Sequence, residues 1–96
     1  MRESDVETYL RQRMQEIGGA SYKFTSPQRR SVPDRICIFP GTYGARVAFV
    51  ELKAPGKKPT AAQEREHQRL RALGCIVVVI DSKEGVDNFI DSRWEL

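Results

Sequence analysis

The feature that most constrains the fold is the strand, helix, strand pattern between Arg46 and Ile80. Cys75-Ile76-Val77-Val78-Val79-Ile80 is an unbroken apolar run, which predicts a central strand buried on both faces, as parallel pairing favours. Arg46 to Lys53 predicts a second strand. Between them Ala54-Pro55-Gly56-Lys57-Lys58-Pro59 reads as a rigid basic loop. Thr60-Ala61-Ala62-Gln63 is a capping box, and Gly74 supplies the stop after Leu73. The helix so framed has a weak apolar stripe of Ala62, Leu70 and Leu73. Two strands joined through a helix form a βαβ unit with a right-handed crossover, so this is an α/β chain.

The rest of the chain fits one small domain spanning residues 1–96. Ser4-Asp5-Val6-Glu7 is another capping-box pattern and predicts a helix start. Val6, Leu10, Met14 and Ile17 recur at helical spacing, and Gly18-Gly19 ends the helix. Ala20 to Phe24 reads as a short edge strand. Asp34 to Phe39 and Arg46 to Lys53 read as a hairpin around a turn at Pro40-Gly41-Thr42-Tyr43-Gly44-Ala45. Lys83 to Ile90 predicts a last helix burying Val86, Phe89 and Ile90. Trp94 is expected on the core or on a partner subunit. The two cysteines, Cys37 and Cys75, sit in apolar runs and read as buried reduced thiols.

The net charge of +3 and pI near 9.1 fit a nucleic-acid partner as readily as a soluble protein with extra Lys and Arg. No apolar run reaches membrane-spanning length, and the N-terminus has no signal-peptide core, so a cytoplasmic protein is expected (host cytoplasm if phage-encoded).

The chemistry concentrates on Val47-Ala48-Phe49-Val50-Glu51-Leu52-Lys53. Alternation puts Val47, Phe49, Glu51 and Lys53 on one strand face. An apolar strand has no structural need for an acid and a lysine two apart on one face, since burying unpaired charge is costly. If Phe39 pairs with Arg46 in the hairpin, Asp34 falls opposite Glu51. Directly opposed side chains have Cβ atoms roughly 4.5–5.5 Å apart. Two carboxylates that close repel unless a proton or cation lies between them. Such a hard-oxygen pair suits Mg²⁺ or Mn²⁺, and Lys53 beside it can hold a phosphate oxygen or orient a water. The combination fits phosphodiester hydrolysis. One histidine and two scattered cysteines make no four-ligand zinc site. There is no Gly-rich phosphate loop and no Ser-His-Asp set.

Gln63 and His67 share a helix face with Leu70, where a helix would lend polar groups to a site. Gln63 also serves the cap, and for His67 a surface or already satisfied histidine is the simpler reading. Arg29 and Arg30 precede Asp34 closely and, with Lys57 and Lys58, are candidates for DNA contact. For the arginine pair alone a solvated loop is the simpler reading.

Pro33-Asp34, Phe49-Val50-Glu51-Leu52-Lys53 and Gln63 together resemble the PD-(D/E)xK nuclease superfamily. Val32-Pro33-Asp34, Val50-Glu51-Leu52-Lys53-Ala54-Pro55-Gly56, Gln63 and Leu70-x-x-x-Gly74-x-x-Val77-x-Val79 resemble, more narrowly, its VRR-NUC domain. The likeness spans roughly residues 4 to 82. It implies a restriction-endonuclease-like mixed sheet flanked by helices in the order αβββαβα. It also implies Mg²⁺ or Mn²⁺ dependence, and cleavage of branched or structured DNA by a homodimer similar to a Holliday-junction resolvase. Carried over, Asp34 and Glu51 are metal ligands with the Leu52 carbonyl as a third. Lys53 is the catalytic lysine, Gln63 the helix glutamine supporting the site, and Glu7 the first-helix acid contacting the metal. The chain departs from the family pattern at Ser31, where a glycine usually stands, so the backbone turn there is not carried over. Rival readings are a nuclease for flaps, nicked duplex or RNA, a DNA-binding module without catalysis, and a structural domain in which Glu51 and Lys53 are a solvated strand end.

Overall fold

A computed structural model describes residues 1–41 and 44–96 of the chain. The expected turn between Pro40 and Ala45 therefore has its centre, Thr42 and Tyr43, outside the described residues. The elements follow the order helix, three strands, helix, strand, helix. They are α1 (Glu3–Glu16), β1 (Ala20–Lys23), β2 (Arg35–Phe39), β3 (Arg46–Leu52), α2 (Ala61–Ala72), β4 (Ile76–Ile80) and α3 (Lys83–Asp91), with a short 3₁₀ turn at Arg93–Glu95.

The strands form one mixed sheet in the order β1-β2-β3-β4. β2 pairs antiparallel with both β1 and β3, while β4 runs parallel to β3 through the α2 crossover. Phe39 pairs with Arg46 and Arg35 with Val50, the register expected for the hairpin. β4 is not the central strand its composition suggests. It is a sheet edge, and Val79 is 38% exposed.

Period-two alternation sorts the sheet into two faces. Cys37 and Phe39 of β2 with Ala48, Val50 and Leu52 of β3 form the face that packs against Val6, Leu10 and Met14 of α1 and Val86, Phe89 and Ile90 of α3. Phe39 and Phe89 stack with ring centroids 5.1 Å apart. Tyr9 Oη donates to Asp87 Oδ1 at 2.6 Å, tying α1 to α3.

α1 begins two residues earlier than its Ser4 capping pattern predicts. Asp5 Oδ2 accepts from the Arg2 backbone N–H at 2.8 Å, so Arg2 rather than Ser4 takes the cap position. Gly18, at φ +78°, reverses the chain after the helix. Gly19 then lets α1 approach the sheet, since a Cβ there would lie 2.6 Å from the Ile38 carbonyl oxygen.

α2 covers the opposite face and packs there through polar side chains. Its buried residues are Glu66 and His67, whereas Leu73, expected on the apolar stripe, is 70% exposed. The Thr60 cap forms as expected: Gln63 N donates to Thr60 Oγ1 at 3.2 Å, and Thr60 N donates to Gln63 Oε1 at 2.9 Å. Cys37 is buried and Cys75 half-buried, and both are free thiols. Burial pushes the Cys37 thiol up to about 11. Trp94 is largely exposed, with the guanidinium groups of Arg46 and Arg93 over its ring at 5.7 and 5.1 Å. Among the described residues no helix is long and apolar enough to cross a membrane.

Candidate active site

The site forms where the β2–β3 hairpin meets α2. The hairpin register places Asp34 next to the β2 start, opposite Glu51 on the α2 face. Asp34 Oδ2 accepts the Leu52 backbone N–H at 2.7 Å. This bond fixes the aspartate against β3 and draws the Leu52 peptide to the carboxylate pair. Pro33, buried just before it, restricts the backbone leading into the strand.

Glu51 is 1% exposed, and α2 supplies most of its partners. Gln63 Nε2 donates to Glu51 Oε2 at 3.3 Å. His67 Nε2 lies 3.4 Å from Glu51 Oε1. Gln63 and His67 stand one turn apart on the helix, so each meets one oxygen of the same carboxylate. Lys53 Nζ approaches Glu51 Oε2 at 3.7 Å along the strand face.

This setting raises Glu51 well above the ordinary carboxylate range, to about 8. Burial is the main cause, followed by the charge of Asp34 and a hydrogen bond with it; Lys53 offsets part of the shift. His67 is shifted the other way, since burial and then the Arg71 charge disfavour its cationic form. The neutral ring meets Glu51 Oε1 through Nε2, as donor to the ionised carboxylate or acceptor from the protonated carboxyl, and its Nδ1 has no partner.

The expected residues Asp34, Glu51, Lys53 and Gln63, with the Leu52 backbone, thus converge in one place. Glu7 is not brought to the pair. Its Oε2 lies 3.3 Å from Arg35 Nη1, and Arg35 is buried on the α1 side of the sheet, where its Nε also donates to Ser21 Oγ at 2.7 Å. Glu3, one turn earlier, is the α1 carboxylate whose charge reaches Glu51.

His67 is the residue that the sequence left as a surface or satisfied histidine; its spacing from Gln63 was the signal that it faces the site, and the structure buries it against Glu51.

The basic candidates flank α2 on two sides. Arg29 Nη2 donates to Glu66 Oε1 at 2.8 Å, so this arginine is held against the helix. Arg30 lies beside it and is exposed. Lys57 and Lys58 line a different groove with Pro59, Thr60, Glu64 and Asp81, near the exposed edge of β4. Ser31 adopts φ +63°, the left-handed conformation that a glycine takes without strain. The turn is therefore glycine-like although the residue is not.

The donor set fits a hard divalent cation. Asp34 and Glu51 interact directly, in a buried place where a second negative charge is costly without a cation. Among the described residues no group of three His, Cys, Asp or Glu side chains converges on one point. An ion here would accordingly take two carboxylates, backbone oxygen and water, a shell that suits Mg²⁺ or Mn²⁺ better than zinc.

No protein-family model matches the chain. It is 50% identical over 84 residues to "Putative nuclease p44" of Acyrthosiphon pisum secondary endosymbiont phage 1, covering 88% of this chain and 87% of that one. A solved structure described as "VRR_NUC domain" superposes with a TM-score of 0.83 at 34% identity, over 93% of this chain and 94% of that one.

Proposed function

This chain belongs to the VRR-NUC family of nucleases, and from that premise we propose that it is a metal-dependent endonuclease acting on branched DNA. The observation that carries the reading is the convergence of Asp34, Glu51 and Lys53 on one buried point of the sheet. Asp34, Glu51 and the Leu52 carbonyl would hold Mg²⁺ or Mn²⁺. Such an ion polarises a phosphoryl oxygen and lowers the pKa of a bound water.

The chain's own groups do the rest. Lys53, with its ammonium beside Glu51, holds a non-bridging phosphate oxygen and orients the attacking water toward phosphorus. Gln63 and His67 keep both oxygens of Glu51 in place, so the carboxylate has little freedom to lose when substrate arrives. Asp34 is fixed in the same sense by the Leu52 N–H. Glu7 serves the structure by holding Arg35. Arg29, Arg30, Lys57 and Lys58 lie to either side of α2 and contact the DNA backbone there.

A homodimer has a physical motive in this reading. Symmetric cutting of a four-way junction needs two sites related by a two-fold axis.

The test is a panel of labelled four-way junction, flap, nicked duplex, plain duplex and single-stranded DNA, incubated with Mg²⁺, Mn²⁺ or EDTA. Cutting only with metal and fastest on the junction is the expected result. A different ranking moves the substrate to flaps or nicks. Binding without cutting in any metal would make the chain a DNA-binding module instead.

A further inference from the structure

We propose that the groove between the loop before Asp34 and the flank of α2 seats the phosphodiester backbone of the strand running through the active site, with Arg65 and Arg69 as its principal contacts. The inference rests on the nuclease reading and extends it, by saying where the nucleic acid goes once it leaves the carboxylates.

The groove has a volume of about 420 Å³ and is lined by Arg29, Arg30, Ser31, Arg65, Glu66 and Arg69, with Ala62 at its side. Four of these are arginines, and only one is an acid. Glu66 is almost completely buried and is already engaged, accepting from Arg29 Nε at 3.1 Å and Nη2 at 2.8 Å. That pair is internally neutral, and it pins the loop to the helix as one wall of the groove.

Arg30, Arg65 and Arg69 are exposed, and among the described residues none has a carboxylate within 4.0 Å. Like charges one turn apart, as at Arg65 and Arg69, disfavour a helix. Like charges gathered in one concavity are tolerable where an anion comes to neutralise them. The planar guanidinium fork matches phosphate oxygens in pairs.

Position argues for a polymer rather than an isolated anion. On α2, residues 62, 65, 66 and 69 form one stripe, and 63, 67 and 70 form the stripe one residue further round. The second stripe carries Gln63 and His67 to Glu51. The first lines the groove. One helix therefore presents the cutting site on one flank and the arginines on the adjacent flank. The other wall ends at Ser31, whose left-handed backbone turns the chain three residues before Asp34. A strand whose scissile phosphate lies at Asp34 and Glu51 has its neighbouring phosphates directed along this groove.

The test uses fluorescence anisotropy of labelled duplex and single-stranded DNA in EDTA, where no cutting complicates binding, titrated with salt. Arg65→Ala and Arg69→Ala are each compared with the wild type and with Arg11→Ala, an exposed arginine on α1 across the sheet. Each α2 variant is expected to lower the magnitude of the slope of log K against log salt by about 1, with circular dichroism unchanged, while Arg11→Ala leaves the slope as it was. Unchanged slopes in both α2 variants would overturn the inference, as would an equal loss in Arg11→Ala.

Wild-type cleavage with Mn²⁺ is read in parallel. Lower slopes without any cleavage would leave the groove standing and remove the hydrolytic reading. Cleavage with unchanged slopes would do the reverse.

Discussion

Glu51 carries two opposed demands, and each has a measurable consequence. It is buried beside Asp34, so in the folded chain it keeps its proton up to about pH 8, whereas an ordinary glutamate loses it near pH 4.5. Between those values this group binds more protons in the folded state, so its own contribution to stability falls as pH rises through that window. His67, shifted down, contributes in the opposite sense as pH rises past its ordinary value of 6.5. In urea unfolding of the metal-free protein in EDTA, the wild type should therefore lose stability relative to Glu51→Gln from pH 4.5 to 8. A wild type that gains on the variant across the window would contradict the placement of this carboxylate. Ser31 offers a second residue-scale test. Its left-handed backbone costs a side-chain-bearing residue about 1–2 kcal/mol, and glycine returns part of that gain through its greater freedom when unfolded. Ser31→Gly should stabilise the protein by roughly 0.5–1 kcal/mol in denaturant unfolding. Glu7 shows why the residue scale was only partly legible in the sequence. Period and capping place α1 and its apolar stripe but do not say which partner a bordering carboxylate finds, and Glu7 is taken by Arg35, a contact across 28 residues that no local pattern encodes.

The hairpin was the most legible of the elements. Once Phe39 is set opposite Arg46, the period of two leaves Asp34 no position except across from Glu51. β4 was legible as a parallel strand but not as an edge. Its apolar run reports that helices cover both faces, and it says nothing about whether a neighbour occupies the outer side. α2 was the least legible, because its buried residues are Glu66 and His67 and hydrophobic periodicity cannot register a polar interface. The connection from α1 to β1 gives a test at this scale. Gly19→Ala would push a methyl group to within 2.6 Å of the Ile38 carbonyl oxygen and against Met14. The backbone must shift to admit it, so the variant should lose roughly 1–3 kcal/mol in urea unfolding. An unchanged midpoint would mean that α1 does not approach the sheet so closely.

At the scale of the molecule, the fold separates two tasks. α1 and α3 bury the apolar face and hold the sheet together, leaving the α2 face to carry charge and chemistry. Ion binding should therefore stabilise the whole domain by mass action. Mn²⁺ at neutral pH should raise the thermal midpoint of the wild type and leave that of Glu51→Gln nearly unmoved. The proposed dimer predicts a light-scattering mass of about twice 11.0 kDa. The most direct test of the account is single-turnover cleavage of labelled four-way junction in Mn²⁺ by the wild type and by Lys53→Ala, with DNA binding and circular dichroism measured on the same samples. The variant is expected to fold and bind but not to cut. Cutting at the wild-type rate would contradict the role given to Lys53.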